Sequence, residues 1–512
     1  MPDNIQNKTR RIAKNTVLLY LRSLVSLFIS LYASRLVLKG LGVDDYGTYG
    51  VVGGFVSMFS IVTSSLRGAI SRFMNYAIGK EDVEEQRNTF ALSLNIMVIL
   101  AIIVIVLTET FGLWFLNNRM NIPVGRETAA FWCFQFSVLA SVSGFLTIPY
   151  TASIIAHERM DVFAYMDVGE VVLKFFIAIL ITLSIGDVDK LILYAALLLA
   201  VALIKQEITR FYGRRHFEEC HFRWYWGKEK FLEMFSFAGW TFLGNTSGTF
   251  SGQGVNMVMN VVFGTAVNAA RSLAGTVINA VQIFVNNFTM AIYPQMTQAY
   301  AAEDFGYMRQ LLYRGAKFCY YIMWLIVLPL VLEADFVVGL WLGEYPDHTI
   351  NFIRLSLIAN TVGVIEALLG MGVKASGKVK WYQLIYSIFE FIYFGVVYVL
   401  MHNGLASEWA YICTIFVVVF KIYVAWMLCR KYVGLSAKEY VTKVLSRILI
   451  VTVLSAILPC FLYFSMSPGW ARFITVVATS ILSSGICILY VGCSPEERVM
   501  LLSMIISKIK KQ

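Results

Sequence analysis

Fourteen hydrophobic segments, each long enough to cross a lipid bilayer, occupy almost all of this chain. A helix spans the hydrocarbon core with about 20 apolar residues, so each segment is predicted to be a transmembrane helix. Hydrophobic residues make up 58% of the sequence and charged residues only 14%, which is rare for a water-soluble protein of this length. The sequence therefore predicts an all-α polytopic membrane protein.

Hydropathy gives each predicted helix a range. In chain order these ranges are 15–38, 46–74, 88–116, 128–156, 161–184, 189–212, 232–262, 264–296, 311–341, 349–373, 379–401, 406–428, 443–466 and 471–492. We predict an N-terminal lobe over 1–228, a C-terminal lobe over 229–432, and a last part over 433–512. The last part contains two further helices and an amphipathic C-terminal tail.

Two segments six helices apart resemble each other. The second predicted helix is followed by Lys80-Glu81-Asp82, and the eighth by Ala302-Glu303-Asp304. An offset of six helices gives both halves the same orientation. This pattern predicts two six-helix lobes in a parallel repeat about an axis along the membrane normal.

Basic residues are distributed unevenly between the loops. Of the 42 Lys and Arg, 28 fall in segments on the side of the N terminus, five in the opposite loops and nine within helices. Positive charge is typical of cytoplasmic loops, so both termini are predicted to be cytoplasmic. This topology, together with an affinity for anionic membrane lipids, explains the net charge of +10. No nucleic-acid partner is predicted.

The first, second, seventh and eighth predicted helices carry stripes of polar residues. On the eighth helix, Arg271, Asn279, Gln282 and Asn286 follow one another at helical spacing, and Asn245 belongs to the polar middle of the seventh. In lipid such a stripe must be covered by protein or water. Stripes of serine and glycine are also typical of tight helix packing, but the arginine and asparagine residues favour a central aqueous cavity.

Several cations lie within predicted helices, where a charge is costly unless it is paired or lines a cavity. Arg22, Arg67 and Arg271 have no acid nearby in sequence, and a guanidinium donates two parallel hydrogen bonds to a phosphate. Arg35 lies close to Asp44 and Asp45, and a structural pair with one of them stays open as the alternative. The predicted substrate-binding residues are Arg22, Arg35, Arg67, Asn245, Arg271, Asn279, Gln282, Asn286 and Arg354.

Embedded carboxylates form a second group. Asp167, Glu170 and Lys174 share one face of the fifth predicted helix, and Glu366 lies within the tenth. These four residues are the predicted coupling-ion residues, because a carboxylate inside the membrane can bind a proton or a sodium ion. A permanent, self-neutralising pair of Glu170 and Lys174 stays open as the alternative. The sequence contains no nucleotide-binding loop or metal motif, so no cofactor is predicted.

The opening of the chain resembles a known family. Ala33-Ser34-Arg35-Leu36, Gly40-Leu41-Gly42 and Asp45-Tyr46-Gly47 resemble the opening of the polysaccharide-repeat-unit flippases, within the multidrug/oligosaccharidyl-lipid/polysaccharide exporter superfamily. The likeness covers essentially the whole chain, with twelve helices in two lobes and two additional C-terminal helices.

The resemblance implies a flippase of the bacterial inner membrane. Such proteins move undecaprenyl-pyrophosphate-linked oligosaccharide for O-antigen of lipopolysaccharide, capsule or exopolysaccharide, and their cavities are lined by basic residues. Here the resemblance places that role on Arg22, Arg67 and Arg271. It also implies a polysaccharide polymerase and glycosyltransferases as partners.

Two other function classes stay open. One is a cation-coupled multidrug exporter of the same superfamily, a branch that typically relies on acidic residues in its first lobe; the first predicted helix has none. The other is an integral membrane polysaccharide polymerase or ligase. Such an enzyme needs catalytic residues on sizeable outward loops, whereas the predicted loops are short and offer His348 and His402 as general bases. We expect a transporter rather than an enzyme.

Overall fold

A computed structural model describes residues 2–42, 45–46, 48–49, 52, 59–118, 125–183, 189–343 and 345–499. Every long regular element within these ranges is a helix, which confirms the predicted all-α class. Most of the predicted C-terminal tail, over 500–512, lies outside the described residues.

The first half of the chain forms six long helices. They are α1 (Pro2–Leu41), α2 (Ser60–Gly79), α3 (Val83–Leu107), α4 (Glu127–Ala156), α5 (Met160–Leu183) and α6 (Lys190–His216). A π-helical turn, Thr108–Gly112, continues α3 into a short helix, Leu113–Asn118.

The second half repeats this succession and adds two helices. They are α7 (Lys228–Phe263), α8 (Thr265–Ala301), α9 (Phe305–Leu332), α10 (Thr349–Ala375), α11 (Lys380–His402), α12 (Trp409–Val433), α13 (Ser446–Ser465) and α14 (Trp470–Cys487). A short helix, Ala334–Leu342, follows α9 after the single residue Glu333. π-helical turns precede α13 at Val441–Leu445 and follow α14 at Ile488–Gly492.

Nine helices in the described ranges are long and apolar enough to cross a membrane. This group contains α3, α4, α6 and α9 to α14. The long helices α5, α7 and α8 fall outside it because they carry the charged and polar residues that the sequence singles out. The prediction of fourteen spans remains a prediction.

The chain divides into two compact units. The first is Ala13–Phe242, and the second is Leu243–Gln512 together with Met1–Ile12. The division falls within α7, and the lobe boundaries predicted from the sequence remain predictions. In the first unit α4 packs along α6, and in the second α10 packs along α12.

Close helix packing in the second unit depends on a glycine. A Cβ atom at Gly372 of α10 would lie 3.0 Å from Leu312 of α9 and 3.2 Å from the sulfur of Cys429 of α12. Both neighbours are buried, so a larger side chain would have to push the helices apart. The core of this unit therefore forms around α10.

The turn predicted to be repeated has the same geometry in both units. Glu81 has a φ of 57° and Glu303 a φ of 56°, a left-handed conformation that is uncommon outside glycine. The next residue caps the following helix, because Asp82 accepts a hydrogen bond from the Glu85 N–H at 3.0 Å and Asp304 one from the Tyr307 N–H at 2.9 Å. The internal repeat thus extends to the backbone geometry of this turn.

A second repeated feature joins the starts of two helices in each unit. Arg126, the N-cap residue of α4, donates hydrogen bonds at 2.6 and 3.1 Å to Asp189, the N-cap residue of α6. In the second unit His348, the N-cap residue of α10, lies 2.6 Å from Glu408, the N-cap residue of α12. We call these two contacts the N-cap pairs.

The N-cap pair of the first unit also bears on Arg35. Arg126 donates further hydrogen bonds to Asp45 at 2.7 and 2.5 Å, so Asp45 already has a cationic partner. The side chain of Arg35 and the residue Asp44 lie outside the described part of the chain. The carboxylates beside Arg126 raise its pKa, despite the opposing effect of burial.

Two buried ion pairs join α14 and the segment after it to α9 and to Glu333, the residue that follows α9. Arg472 of α14 donates to both oxygens of Glu333 at 2.9 and 3.0 Å, and neither side chain is exposed. Beyond the other end of α14, Glu497 accepts hydrogen bonds from Lys317 of α9 at 2.7 and 3.1 Å. α13 and α14 therefore belong to the second unit, where they pack on each other and on α9.

Candidate functional site

Five charged side chains from α1, α5 and α6 form a network in the first unit. Arg22 lies 2.8 Å from Asp167, and Lys205 bridges Asp167 at 2.9 Å and Glu170 at 2.6 Å. Lys174 completes the network at 2.5 Å from Glu170. We call these five residues the charge network; it holds three cations and two carboxylates.

Two members of the charge network differ from their sequence-based interpretation. Arg22 has no acid nearby in sequence, but the fold brings Asp167 to it across 145 positions. The sixth helix was predicted to end at 212, which would place Lys205 only about two turns from that end. The helix continues to His216, so Lys205 lies about three turns from its end and inside the network.

Arg67 of α2 has a different environment. Its side chain is exposed, and no carboxylate in the described part of the chain lies within ion-pair distance of it. Asp167 is close enough to act on it electrostatically. Arg67 therefore carries a charge that can still attract an anion.

Arg271 of α8 is the embedded cation of the second unit. Its guanidinium lies 3.5 Å from the Gly252 carbonyl oxygen and 3.6 Å from the Met259 sulfur, both at the outer limit of hydrogen bonding. The ring of Tyr411 lies 5.5 Å away, within reach of a cation–π contact. Among the described residues no carboxylate lies within ion-pair distance of Arg271.

The predicted polar stripe continues along α8. Asn279 and Asn286 are exposed, and Gln282 donates a hydrogen bond of 3.5 Å to Asn286. Asn279 lies about 12 Å along the helix from Arg271, so both can contact one extended ligand. Asn245 is at a different place, on α7, where its carbonyl oxygen accepts a hydrogen bond from Thr249 at 3.0 Å.

Arg354 is engaged by protein groups. It lies 2.6 Å from Asp335 and donates hydrogen bonds to the carbonyl oxygens of Val331 at 2.9 Å and Leu332 at 3.3 Å. These carbonyls end α9, so Arg354 caps that helix in the manner that basic side chains often do. The geometry indicates a structural role.

An ion pair between α11 and α12 was not foreseen from the sequence. Lys421 of α12 pairs with Glu390 of α11, and its ammonium lies 3.7 Å from the centre of the Tyr386 ring. Nearby on the preceding helix, Glu366 accepts a short hydrogen bond from Tyr382. Glu390 is the eleventh residue of α11, as Glu170 is of α5, so the repeat could have indicated this pair.

The geometry therefore differs between the two units. The first unit holds the carboxylate-containing charge network with an exposed Arg67, and the second holds Arg271 without a carboxylate partner in the described ranges. Within those ranges no group of three potential metal ligands occurs. Arg67 and Arg271 can each bind an anion, and the carboxylates of the charge network can exchange a proton or a small cation.

Solved structures similar to this chain are transporters. A multidrug resistance MATE family transporter of the MOP superfamily, in an outward-facing conformation, gives a TM-score of 0.68 at 15% identity, over 83% of this chain and 96% of that one. A MOP superfamily transporter from Pyrococcus furiosus gives 0.68 at 14% identity over the same shares. A MATE transporter from Vibrio cholerae in a bent form gives 0.63 at 16% identity, over 85% and 100%. The chain thus has the MATE-like, all-helical transporter fold.

Sequence comparison defines the family. The family model for polysaccharide biosynthesis proteins matches residues 12–300, more than half of the chain, and the chain belongs to this family. Comparison with curated proteins gives no significant match. Family and fold together describe a multi-pass membrane protein of the exporter and flippase type.

Proposed function

We propose that this protein is a flippase of the bacterial inner membrane that moves polyprenyl-pyrophosphate-linked oligosaccharide repeat units. The product would serve O-antigen, capsule or exopolysaccharide synthesis, with a polymerase and glycosyltransferases as functional partners and both termini in the cytoplasm. Family membership supports the link to polysaccharides, and the fold supports transport. The lipid-linked substrate is our inference.

The observation that carries the proposal is the environment of Arg271. A cation within a helical unit, with no carboxylate partner in the described ranges, is costly unless water or an anion solvates it. A pyrophosphate offers the paired oxygen acceptors that a guanidinium recognises. Alternating access of a cation-lined cavity would then replace the water that the pyrophosphate and the sugars lose on crossing the membrane.

Substitution of Arg271 tests this proposal. We expect Arg271→Ala to reduce uptake of lipid-linked pyrophosphate oligosaccharide into inverted membrane vesicles by at least tenfold, because a hydrogen bond to a charged group contributes about 1.5–3 kcal/mol. Arg271→Lys should restore transport only in part, since an ammonium cannot donate the bidentate pair. Protein abundance in the membrane serves as the control.

Arg354→Ala provides the matched comparison. Arg354 is an arginine on a neighbouring helix of the same unit, but it already contacts Asp335 and two carbonyl oxygens. Arg354→Ala should lower the stability of the protein but leave the transport rate of each folded molecule largely unchanged. Normal transport by Arg271→Ala would remove the main support for an anionic substrate.

The second candidate function is cation-coupled multidrug export. It is favoured by the fold, because one of the similar structures is a multidrug resistance transporter. In the similar MOP superfamily transporter from Pyrococcus furiosus, a reversed polarity of the binding pocket suggests a different function. The charge of the pocket is therefore the property that separates the two functions, and here the cations favour an anionic substrate.

A further inference from the structure

The two N-cap pairs use different cations. In the first unit the N-cap residue of α4 is Arg126, which stays charged at every physiological pH. In the second unit the equivalent N-cap residue of α10 is His348, and histidine changes its charge between pH 5 and 8. The repeat therefore places a permanent ion pair in one unit and a titratable pair in the other.

The charge of His348 determines whether its contact with Glu408 is an ion pair or a neutral hydrogen bond. Its Nδ1 atom lies 2.6 Å from Glu408, which also accepts a hydrogen bond from Asn351 at 3.3 Å. Burial opposes ionisation of Glu408, but the hydrogen bonds from His348, its own backbone N–H and Asn351 hold its pKa below the ordinary value. Glu408 thus stays ionised at neutral pH.

Other charged groups at this end of the unit are either engaged or adjacent in the chain. Asp347 is the chain neighbour of His348. Arg354, further along α10, is paired with Asp335 from the short helix Ala334–Leu342. Glu333 is paired with Arg472 of α14. Among the described residues, Glu408 is the carboxylate that His348 contacts.

A row of aromatic rings leads from the N-cap pair to Arg271. The His348 ring lies 5.8 Å from the ring of Phe352, and Phe352 lies 4.8 Å from Tyr411. Tyr411 lies 5.5 Å from the Arg271 guanidinium. Phe352 is fully buried and Tyr411 is 8% exposed, so these rings cannot move independently.

The backbone provides a second connection. Tyr411 donates its N–H to the Glu408 carbonyl oxygen at 3.0 Å, in the first turn of α12. A shift of Glu408 toward or away from His348 therefore moves the turn that carries the Tyr411 ring. Both connections join the titratable pair to the side chain against which Arg271 rests.

We propose that Tyr411 is a positioning residue for Arg271, and that the charged His348–Glu408 pair holds Tyr411 in place. A guanidinium held in position loses less conformational freedom when it binds an anion. Affinity for a pyrophosphate diester therefore rises as the pH at this end of the protein falls. The inference rests on the proposed function, since it assumes that Arg271 binds the pyrophosphate.

The test measures affinity against pH in the purified full-length protein. The probe is farnesyl-pyrophosphate-linked N-acetylglucosamine, a diester whose charge is constant between pH 6 and 8. We expect the wild-type Kd to rise about fivefold from pH 6 to pH 8, the difference between a charge-assisted and a neutral hydrogen bond. His348→Arg, which copies the first unit, should bind tightly at both pH values, and His348→Gln weakly at both.

His402→Gln is the matched control. His402 also lies at a helix end in the second unit, as the last residue of α11, but its ring stacks on Tyr398. This variant should retain the wild-type pH profile. If His348→Arg or His348→Gln retains the wild-type profile, the inference is wrong. If the wild type does not bind the probe, or Arg271→Ala binds it equally well, the proposed function fails instead.

Variants of Tyr411 separate positioning from stability. Tyr411→Phe keeps the ring that lies against Arg271 and removes only the hydroxyl, which also interacts with Arg271, so it should keep the fivefold pH ratio with weaker binding at both pH values. Tyr411→Leu removes the ring, so it should bind weakly at both pH values and also melt at a lower temperature. If Tyr411 only stabilises the fold, Tyr411→Leu should lower the melting temperature and leave the pH ratio unchanged. That result would overturn the inference.

Discussion

At the scale of single residues, the embedded cations differ in what they contact. Arg22, Lys174, Lys205 and Lys421 each have a carboxylate within 3 Å. Arg67 and Arg271 have no carboxylate at ion-pair distance in the described ranges. A paired charge is already compensated, so the two arginines without such partners are the ones best suited to a substrate anion.

The charge network leads to a prediction about coupling. We expect Glu170→Gln to keep the fold, because Lys205 retains Asp167 and Lys174 is half exposed. If Glu170 carries the coupling ion, transport in reconstituted vesicles loses its response to a pH or sodium gradient. Glu390→Gln, the equivalent change in the second unit, shows whether the effect belongs to the first unit.

The competing interpretation is a permanent structural pair. It predicts a lower yield of folded Glu170→Gln protein, with an unchanged gradient response in whatever protein remains. A well-folded variant that is still fully driven by the gradient would exclude Glu170 from the mechanism.

At the scale of helices, hydropathy predicts where most helices lie, but it does not predict where a helix is interrupted. The predicted ranges 128–156 and 379–401 differ by one residue from Glu127–Ala156 and Lys380–His402. The predicted helix 311–341 is wrong, because α9 ends at Leu332 and a new helix begins at Ala334. Between them lies Glu333, whose partner Arg472 is 139 positions away, and hydropathy contains no information about such a partner.

The Glu333–Arg472 pair gives a prediction about stability. Glu333→Gln leaves the buried Arg472 without its counter-charge, and removal of one partner of a buried pair costs about 3–5 kcal/mol. We expect a clear fall in the melting temperature of the purified protein. The double variant Glu333→Leu/Arg472→Met should recover much of the loss, because two apolar groups of similar size need no counter-charge.

An exposed ion pair is the control for this measurement. Glu207 and Arg210 on α6 lie 3.3 Å apart, with Glu207 largely exposed and Arg210 partly exposed. Glu207→Gln should therefore leave the melting temperature unchanged within error. Equal effects of Glu333→Gln and Glu207→Gln would mean that the buried pair does not hold α14 to α9.

At the scale of the whole molecule, the two units share a helical pattern but differ in chemistry. The turns at Glu81 and Glu303 and the N-cap pairs recur in both units. The likeness of Lys80-Glu81-Asp82 to Ala302-Glu303-Asp304, six helices apart, allowed the repeated turn to be predicted from the sequence, whereas the N-cap pairs were not predicted. The contacts of Arg22, Lys205 and Lys421 could not be predicted, because each joins residues on different helices that only the fold brings together.

The central claim is that this transporter fold carries an anionic, lipid-linked substrate. The most direct measurement compares three labelled compounds in vesicles containing the purified protein: a polyprenyl-pyrophosphate oligosaccharide, an uncharged polyprenyl glycolipid and an organic cation. We predict that the pyrophosphate compound crosses at least tenfold faster than the other two, and that Arg271→Ala removes this preference. Transport of the organic cation with exclusion of the pyrophosphate compound would contradict the claim.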